Sequence, residues 1–453
     1  MKICRLIILL LIIAVPAKAQ DSLIFRRISD EIMLRSNCYE NLRTLCKTIK
    51  NRISGSVQAE KAVIWGQKAM AQTGADRVWL QPVDVPHWVR GYENLKLRYG
   101  NGKFKTVKML SLGNSVGTDG QVWEAEIVMV HSFDELKQLP DEQIKGKIVF
   151  FNYRFRQDFV NTFQGYGDAV KYRSNGPSIA ARRGARAVII RSISTGVDDV
   201  PHTGALHYID TIKAIPAVAV GNYTADTLEN ALSKMKAYAQ LETHCKMMEN
   251  VRSYNVIGEI KGTEHPERII VIGGHLDSWD VGEGANDDGS GCVQSMEVLR
   301  TFTALGIKPK CTIRAVLFMN EENGLKGGIA YADSAKKANE HHILAIETDA
   351  GGFTPRGIGL EMSDERKEQI RYFRKLFFPY GVYDFEHEEG GSDISPLKKQ
   401  GVPMAGLLPD SQRYFEIHHT NNDVFENVNH RELKLGAVAL TQLVYLVSYY
   451  GLK

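Results

Sequence analysis

The sequence is short of cysteine, of net charge and of long apolar runs, and each shortage excludes something. Six cysteines in 453 residues cannot build the dense disulfide framework of a small secreted scaffold. Beyond Cys4, the chain has Cys38, Cys46, Cys245, Cys292 and Cys311, with no CxxC pair and no cysteine–histidine cluster, so no thiolate metal site is expected. Cys38 and Cys46 fall in a helical pattern about 12 Å apart along the axis, too far to bridge within one helix. The five are read as buried small apolar residues with at most one bridge.

The charge is nearly balanced, at 56 Lys+Arg against 53 Asp+Glu. Lys2, Arg5 and Lys18 supply the whole excess, and all three lie in an opening segment, 1–19, that has no acid. A neutral body argues against nucleic-acid binding and against electrostatic attachment to anionic membranes. The opening segment joins its basic start to an apolar run at 6–15 and then to Ala17-Lys18-Ala19, the small-x-small pattern of an export signal cleaved near Gln20. That run has about half the length a spanning helix needs. No later stretch reads as long and apolar enough to span a bilayer. The expected product is exported, periplasmic or extracellular (through the secretory pathway in a eukaryote), with no membrane partner once the signal is removed.

Residues 21 to about 80 read as helices, from apolar positions such as Ile32, Leu34, Leu42, Leu45 and Ile49. From 105 to 245 the texture is β-rich, with runs at 126–130 and 147–151, and 179–190 reads as a short helix, a glycine turn and a buried strand. No cluster of catalytic side chains is evident in that block. From about 250 onward, apolar strands at 268–273, 312–319, 343–348 and 402–408 alternate with helical patterns that include 296–305 and 432–449. The fold class is therefore α/β, with a mixed, mostly parallel sheet flanked by helices.

The chemistry gathers beyond the carboxyl ends of those strands, where open α/β sheets place their ligands. Strand 268–273 runs into Gly274-His275-Leu276-Asp277. The next ends in Asn320-Glu321-Glu322-Asn323-Gly324, and the third in Glu347-Thr348-Asp349. Between the first two lies the turn Asn286-Asp287-Asp288-Gly289, and His418-His419-Thr420-Asn421-Asn422-Asp423 follows the last. Singly, each has a plain reading: a local hydrogen bond, a solvated acidic surface, a turn. Jointly they crowd carboxylates that would repel one another unless cations neutralised them. Imidazoles and carboxylates without thiolate suit Zn²⁺, and five ligands exceed what one open tetrahedral site uses, so two zinc ions per chain are expected.

The run Gly273-Gly274-His275-Leu276-Asp277-Ser278-Trp279-Asp280-Val281-Gly282-Glu283-Gly284-Ala285 resembles the zinc site of the co-catalytic two-zinc exopeptidases. Segments 85–91, 132–136, 200–204 and 414–423 extend the resemblance, toward a carboxypeptidase branch of the family, over nearly the whole chain. The resemblance implies the zinc exopeptidase fold with an inserted β-rich protease-associated domain. Its boundaries would be a signal at 1–19, an N-terminal helical part of the catalytic domain at 20–104, the inserted domain at 105–245 and the rest of the catalytic domain at 246–453. Metal ligands by resemblance are His275, Asp287 (bridging), Glu322, Asp349 and His419, chosen over His418 because Asp423 follows it at the family's His-x-x-x-Asp spacing. Glu321 would be the general base, and the Asp277 carboxylate would orient His275. The family often has a cis peptide bond after the bridging aspartate.

The implied activity is hydrolysis of short peptides, foremost dipeptides with free termini. A broader aminopeptidase of the same family is the main alternative. A non-catalytic binding relative and a one-zinc glutaminyl cyclase are disfavoured by the complete ligand set. The inserted domain is expected to roof the site, and a homodimer is implied by resemblance only.

Overall fold

The computed structural model describes residues 17–452. Most of the expected signal, 1–16, lies outside the described residues, so that reading is not met by any structural fact.

Two sheets organise the chain. The first has seven strands in the order Arg77–Val89, Lys246–Ile260, Cys311–Phe318, His265–His275, His341–Glu347, Met404–Pro409 and Pro355–Glu361. Its four central strands pair in parallel, while both edges are antiparallel. "Mostly parallel" thus holds for the middle of the sheet and fails at its margins. The apolar runs exist because this sheet is covered on both faces. Ile270 and Ile272 join one buried cluster with helices Ser290–Leu305 and His430–Tyr450, while Val271 between them joins a second with Tyr331, Ala335 and Leu397. A strand with one wet face would show polar residues at every second position; here both sets are apolar.

Helix His430–Tyr450 corrects one expectation, since its length and mean hydropathy of 1.2 would let it cross a membrane. Its most apolar window is 83% buried inside the fold, so its all-round apolarity is that of a core helix wedged between the sheet and the N-terminal helix Ala17–Arg35. The opening helices Ala17–Arg35, Cys38–Thr48 and Val57–Ala71 match the periodic reading, except that Leu34 is exposed and the helical stretch ends before strand Arg77–Val89. That strand pairs with Lys246–Ile260, which brings the segments before and after the middle block side by side. All five cysteines from Cys38 onward are buried and unbridged.

The second sheet has eight strands, from Glu93–Tyr99 to Ala237–Thr243 in the sequence, with parallel pairing among Trp123–Val130, Ile148–Phe151, Ala187–Arg191 and Ala217–Val220. It recruits Glu93–Tyr99 from ahead of position 105, because that strand pairs with Ala237–Thr243. Helix Gly176–Arg182, a left-handed Gly184 and strand Ala187–Arg191 form as the sequence reading has them.

Candidate active site

Four of the candidate residues stand at or just beyond the ends of central strands of the first sheet, and the others come from nearby turns. His275 is the last residue of His265–His275, Glu321 and Glu322 follow Cys311–Phe318, and Asp349 follows His341–Glu347. Asp287 sits on the turn into helix Ser290–Leu305, and its bond to Asp288 is cis. His419, at φ +61°, closes the group from a loop after the short helix Tyr414–Ile417.

The turns are built to aim these side chains. The Asp288 carboxylate accepts from the backbone N–H of His275 (3.0 Å) and of Gly291 (2.9 Å), fastening the turn to the strand end. A Cβ on Gly291 would stand 1.8 Å from the carbonyl oxygen of Thr348, so only glycine lets the helix start reach the third strand. Asp277 takes a different part from the one expected. Its carboxylate accepts from the N–H groups of Asn320 (2.6 Å) and Glu321 (3.1 Å), so it clamps the turn presenting Glu321. His275 Nδ1 donates instead to the Asp277 backbone carbonyl at 3.0 Å, with the carboxylate at 3.9 Å. Asp423 accepts from the N–H of Asn286 (2.8 Å) and Asp287 (3.1 Å), tying the His419 loop to the bridging turn.

The protonation pattern tests whether a metal fits. His275 Nδ1–H is committed to the Asp277 carbonyl, and His419 Nδ1 reaches the Thr203 carbonyl at 3.3 Å. A carbonyl only accepts, so both imidazoles carry a proton on Nδ1, which in the neutral ring leaves Nε2 as the lone pair turned inward. Those lone pairs face carboxylate oxygens: His275 Nε2 lies 3.1 Å from Asp287 Oδ1 and 3.5 Å from Asp349 Oδ1. His419 Nε2 lies 3.2 Å from Asp287 Oδ2 and 3.3 Å from Glu322 Oε2. With neutral imidazoles these are acceptors facing acceptors, a repulsion that either a proton or a metal cation between them relieves; without metal, and against the opposing burial, the Asp349 and Asp287 carboxylates push the His275 pKa well above its ordinary value. Asp287 Oδ2 and Asp349 Oδ1 also lack any hydrogen bond, as metal-ligating oxygens would. His275, Asp287 and Asp349 form one triad of potential ligands within 4.8 Å, and Asp287, His418 and His419 form another. The two triads share Asp287, one oxygen toward each histidine. His418, set aside on the sequence, stacks on His419 at 3.5 Å and points Nε2 at Asp287 Oδ2 from 3.7 Å.

Glu321 stands apart from both triads, Oε2 at 4.0 Å from His275 Nε2 and its side chain 19% exposed to the cavity. Burial raises its pKa to about 7, with the Asp349 and Asp287 carboxylates adding to the rise against the opposing His275. A carboxylate poised near neutrality can both take and return a proton.

Residues of the middle block, where no catalytic cluster was evident, also reach the site. Thr203 holds His419 from both sides, its N–H donating to the His419 carbonyl (3.0 Å) and its carbonyl receiving Nδ1–H. Thr203 is itself braced by Arg90, whose guanidinium pairs with Asp280 at 2.6 Å. Segments 85–91 and 200–204 therefore serve one purpose, docking the second sheet onto the last histidine. Tyr166 and Arg173, from helix Thr162–Ser174, line the same cavity of about 1940 Å³ as Glu321, Asp349 and His419. Only the recurrence of segment 200–204 in the family resemblance hinted at this; composition carried no sign of it.

Comparison with known proteins places this geometry in context. A family model described as peptidase family M28 matches residues 255–444. Carboxypeptidase Q of Homo sapiens is 34% identical over 415 residues, 91% of this chain and 86% of that protein. Carboxypeptidase Q of Xenopus laevis is 35% identical with the same coverage. The crystal structure of a peptidase M28 precursor from Shewanella amazonensis superposes with a TM-score of 0.90 at 32% identity, covering 95% of this chain and 97% of that one. A zinc aminopeptidase from Bacillus subtilis shares the fold at a TM-score of 0.64 and 22% identity, over 90% of this chain and 93% of its own.

Proposed function

The chain belongs to peptidase family M28, and we propose that within it this protein is an exported di-zinc exopeptidase that hydrolyses short peptides, foremost dipeptides with free termini. The observation that carries the reading is the shared Asp287, whose two oxygens address two histidines across paired ligand triads. His275, Asp287 and Asp349 would hold one zinc, and Asp287, Glu322 and His419 the other. Zinc bound there would polarise the scissile carbonyl and acidify the attacking water.

The remaining steps belong to the chain. Glu321 Oε2 accepts a proton from the attacking water and returns it to the leaving amine. Asp277 keeps that carboxylate aimed by holding the N–H groups of residues 320 and 321. The Asp277 and Thr203 carbonyls take the Nδ1 proton of His275 and His419, so that Nε2 is the nitrogen each histidine turns to the metal. The middle segment is proposed as an inserted protease-associated domain that roofs the site. In support, residues 158–161, Phe163, Gln164, Tyr166 and Arg173 line the same cavity as Asp349 and Glu321. A roofed cavity admits short chains and disfavours folded proteins.

A panel of free, N-acetylated and C-amidated dipeptides, run with and without chelator, tests the reading. Carboxypeptidase action survives N-acetylation, aminopeptidase action survives C-amidation, and strict dipeptidase action survives neither. Chelator is expected to abolish turnover, and two equivalents of zinc to restore it. Turnover indifferent to chelator would sink the two-metal assignment.

A further inference from the structure

The turn after strand Cys311–Phe318 carries both glutamates of the site, and its backbone is strained. Asn320 and Leu325 are left-handed, at φ +75° and +55°, and Asn323 between them departs from helical dihedrals. Such a conformation persists only where its neighbours over-determine it. From the first sheet's side, the Asp277 carboxylate receives the N–H groups of residues 320 and 321, and the N–H of Trp279 donates to Glu322 Oε1 at 3.1 Å. Those contacts hold the start of the turn and the Glu322 side chain. The far side of the turn is held through Asn323, which is buried.

The Asn323 amide is engaged at both ends. Its Oδ1 receives the Ser54 hydroxyl at 2.8 Å and the Asn320 amide, and its Nδ2 donates to Asn114 Oδ1 at 3.2 Å. Asn114 answers with its own Nδ2, which reaches the Asn323 backbone carbonyl at 3.5 Å. Asn114 belongs to the body built on the second sheet, on the loop after strand Leu110–Ser111, which pairs with Ala217–Val220. That loop is fixed on its own side. Gly113 donates its N–H to the Gly204 carbonyl (3.0 Å) and accepts the Leu206 N–H (3.0 Å). Gly204 adjoins Thr203, whose carbonyl holds His419. A Cβ on Gly113 would come within 1.8 Å of the Trp279 ring, so the loop lies flush on the residue whose N–H secures Glu322. One hydrogen-bonded edge of the second body therefore addresses His419 and the Glu321 turn together.

We propose that Asn114 is a positioning residue for hydrolysis: through Asn323 it locks the turn that presents Glu321, so that the second body aims the general base across the interface. The inference rests on the reading of Glu321 as that base. Asn114 stands behind the turn, outside the residues that line the cavity, so its loss should lower kcat with little effect on KM. Misplacing a catalytic group by about 1 Å costs on the order of 100-fold in rate.

Asn114 is itself left-handed, at φ +67°, so Asn114→Gly removes the amide without straining the loop. The test uses the zinc-loaded enzyme and a free dipeptide that the wild type cleaves. Asn114→Gly is expected to lower kcat by about 10- to 100-fold, with KM changed by less than about threefold and two equivalents of zinc retained. Asn114→Asp keeps the Oδ1 acceptor and suits the same backbone, and should recover part of the rate. Amide hydrogen exchange at residues 320–325 should quicken in Asn114→Gly and slow again in Asn114→Asp. An unchanged kcat in Asn114→Gly overturns the proposal, and so does a loss of rate that tracks loss of zinc. Added to Glu321→Gln, Asn114→Gly should cost no further rate, and a full second loss would show that it acts elsewhere. These failures leave Glu321 in place, whereas a wild-type rate in Glu321→Gln overturns the base and this proposal with it. Should Asn114→Gly fail to fold, Asn323→Asp decides. It keeps the acceptor for Ser54 and Asn320, loses the donor to Asn114, and is expected to show the same fall in kcat; a wild-type kcat would refute the assignment.

Discussion

Glu321→Gln is expected to retain two equivalents of zinc and to lower kcat by about 10²–10⁴-fold, the usual range for removal of a general base. The amide is nearly the same shape as the carboxylate and leaves the backbone N–H of residue 321 on Asp277, so the turn should keep its form. What it removes is the proton acceptor. Because Glu321 is not among the proposed zinc ligands, metal affinity should barely change. The pH profile supplies a second reading. The wild-type rate should fall as pH drops and Glu321 takes up a proton, and that acid limb should be missing from the residual activity of the variant. Steady-state kinetics alongside metal analysis checks both points, and a wild-type kcat in Glu321→Gln would remove Glu321 from the mechanism.

Asp287→Ala should fail in the opposite manner, losing metal first and activity as a consequence. Removing a partner that merely orients a ligand already weakens metal binding by about 10–100-fold. Asp287 is placed to serve both histidines, so its loss should exceed that range for at least one metal and lower kcat/KM by more than about 100-fold. Stability should report the same event. A metal held at 1,000 times its dissociation constant contributes about 4 kcal/mol to the folded state. Chelator should therefore lower the Tm of the wild type clearly and that of Asp287→Ala little. Two tightly bound zinc ions in Asp287→Ala would contradict the bridging role.

The sequence was most legible where the fold demands continuous apolar strands. Strands 268–273, 312–319 and 343–348 are buried on both faces, so their runs and their acidic ends stood out together. Strand Lys246–Ile260 escaped notice because its first half is exposed and mixes Met247 and Met248 with charged and polar residues, stabilised by pairing with Arg77–Val89 and not by burial. Leu34 fits a helical stripe but faces outward, since periodicity fixes spacing and not the angle at which a helix meets its core. The Asp277 carboxylate was assigned to His275 by family resemblance, yet its Oδ1 accepts two backbone N–H groups from another strand end. Arg173 and Thr203 were invisible for a different reason. Each reaches His419 across more than two hundred positions, and nothing local marks a residue whose partner lies so far along the chain.

The contact between Thr203 and His419 bears on when the protein becomes able to hydrolyse anything. Every proposed metal ligand comes from the first sheet and its loops, but the tautomer of His419 is set by a carbonyl from the body built on the second. A nascent chain could complete the ligand-bearing half and still present that imidazole unsecured. Hydrolytic competence would then arise only on docking of the two bodies, which makes their association a checkpoint on maturation and keeps a half-folded protease from acting on its neighbours.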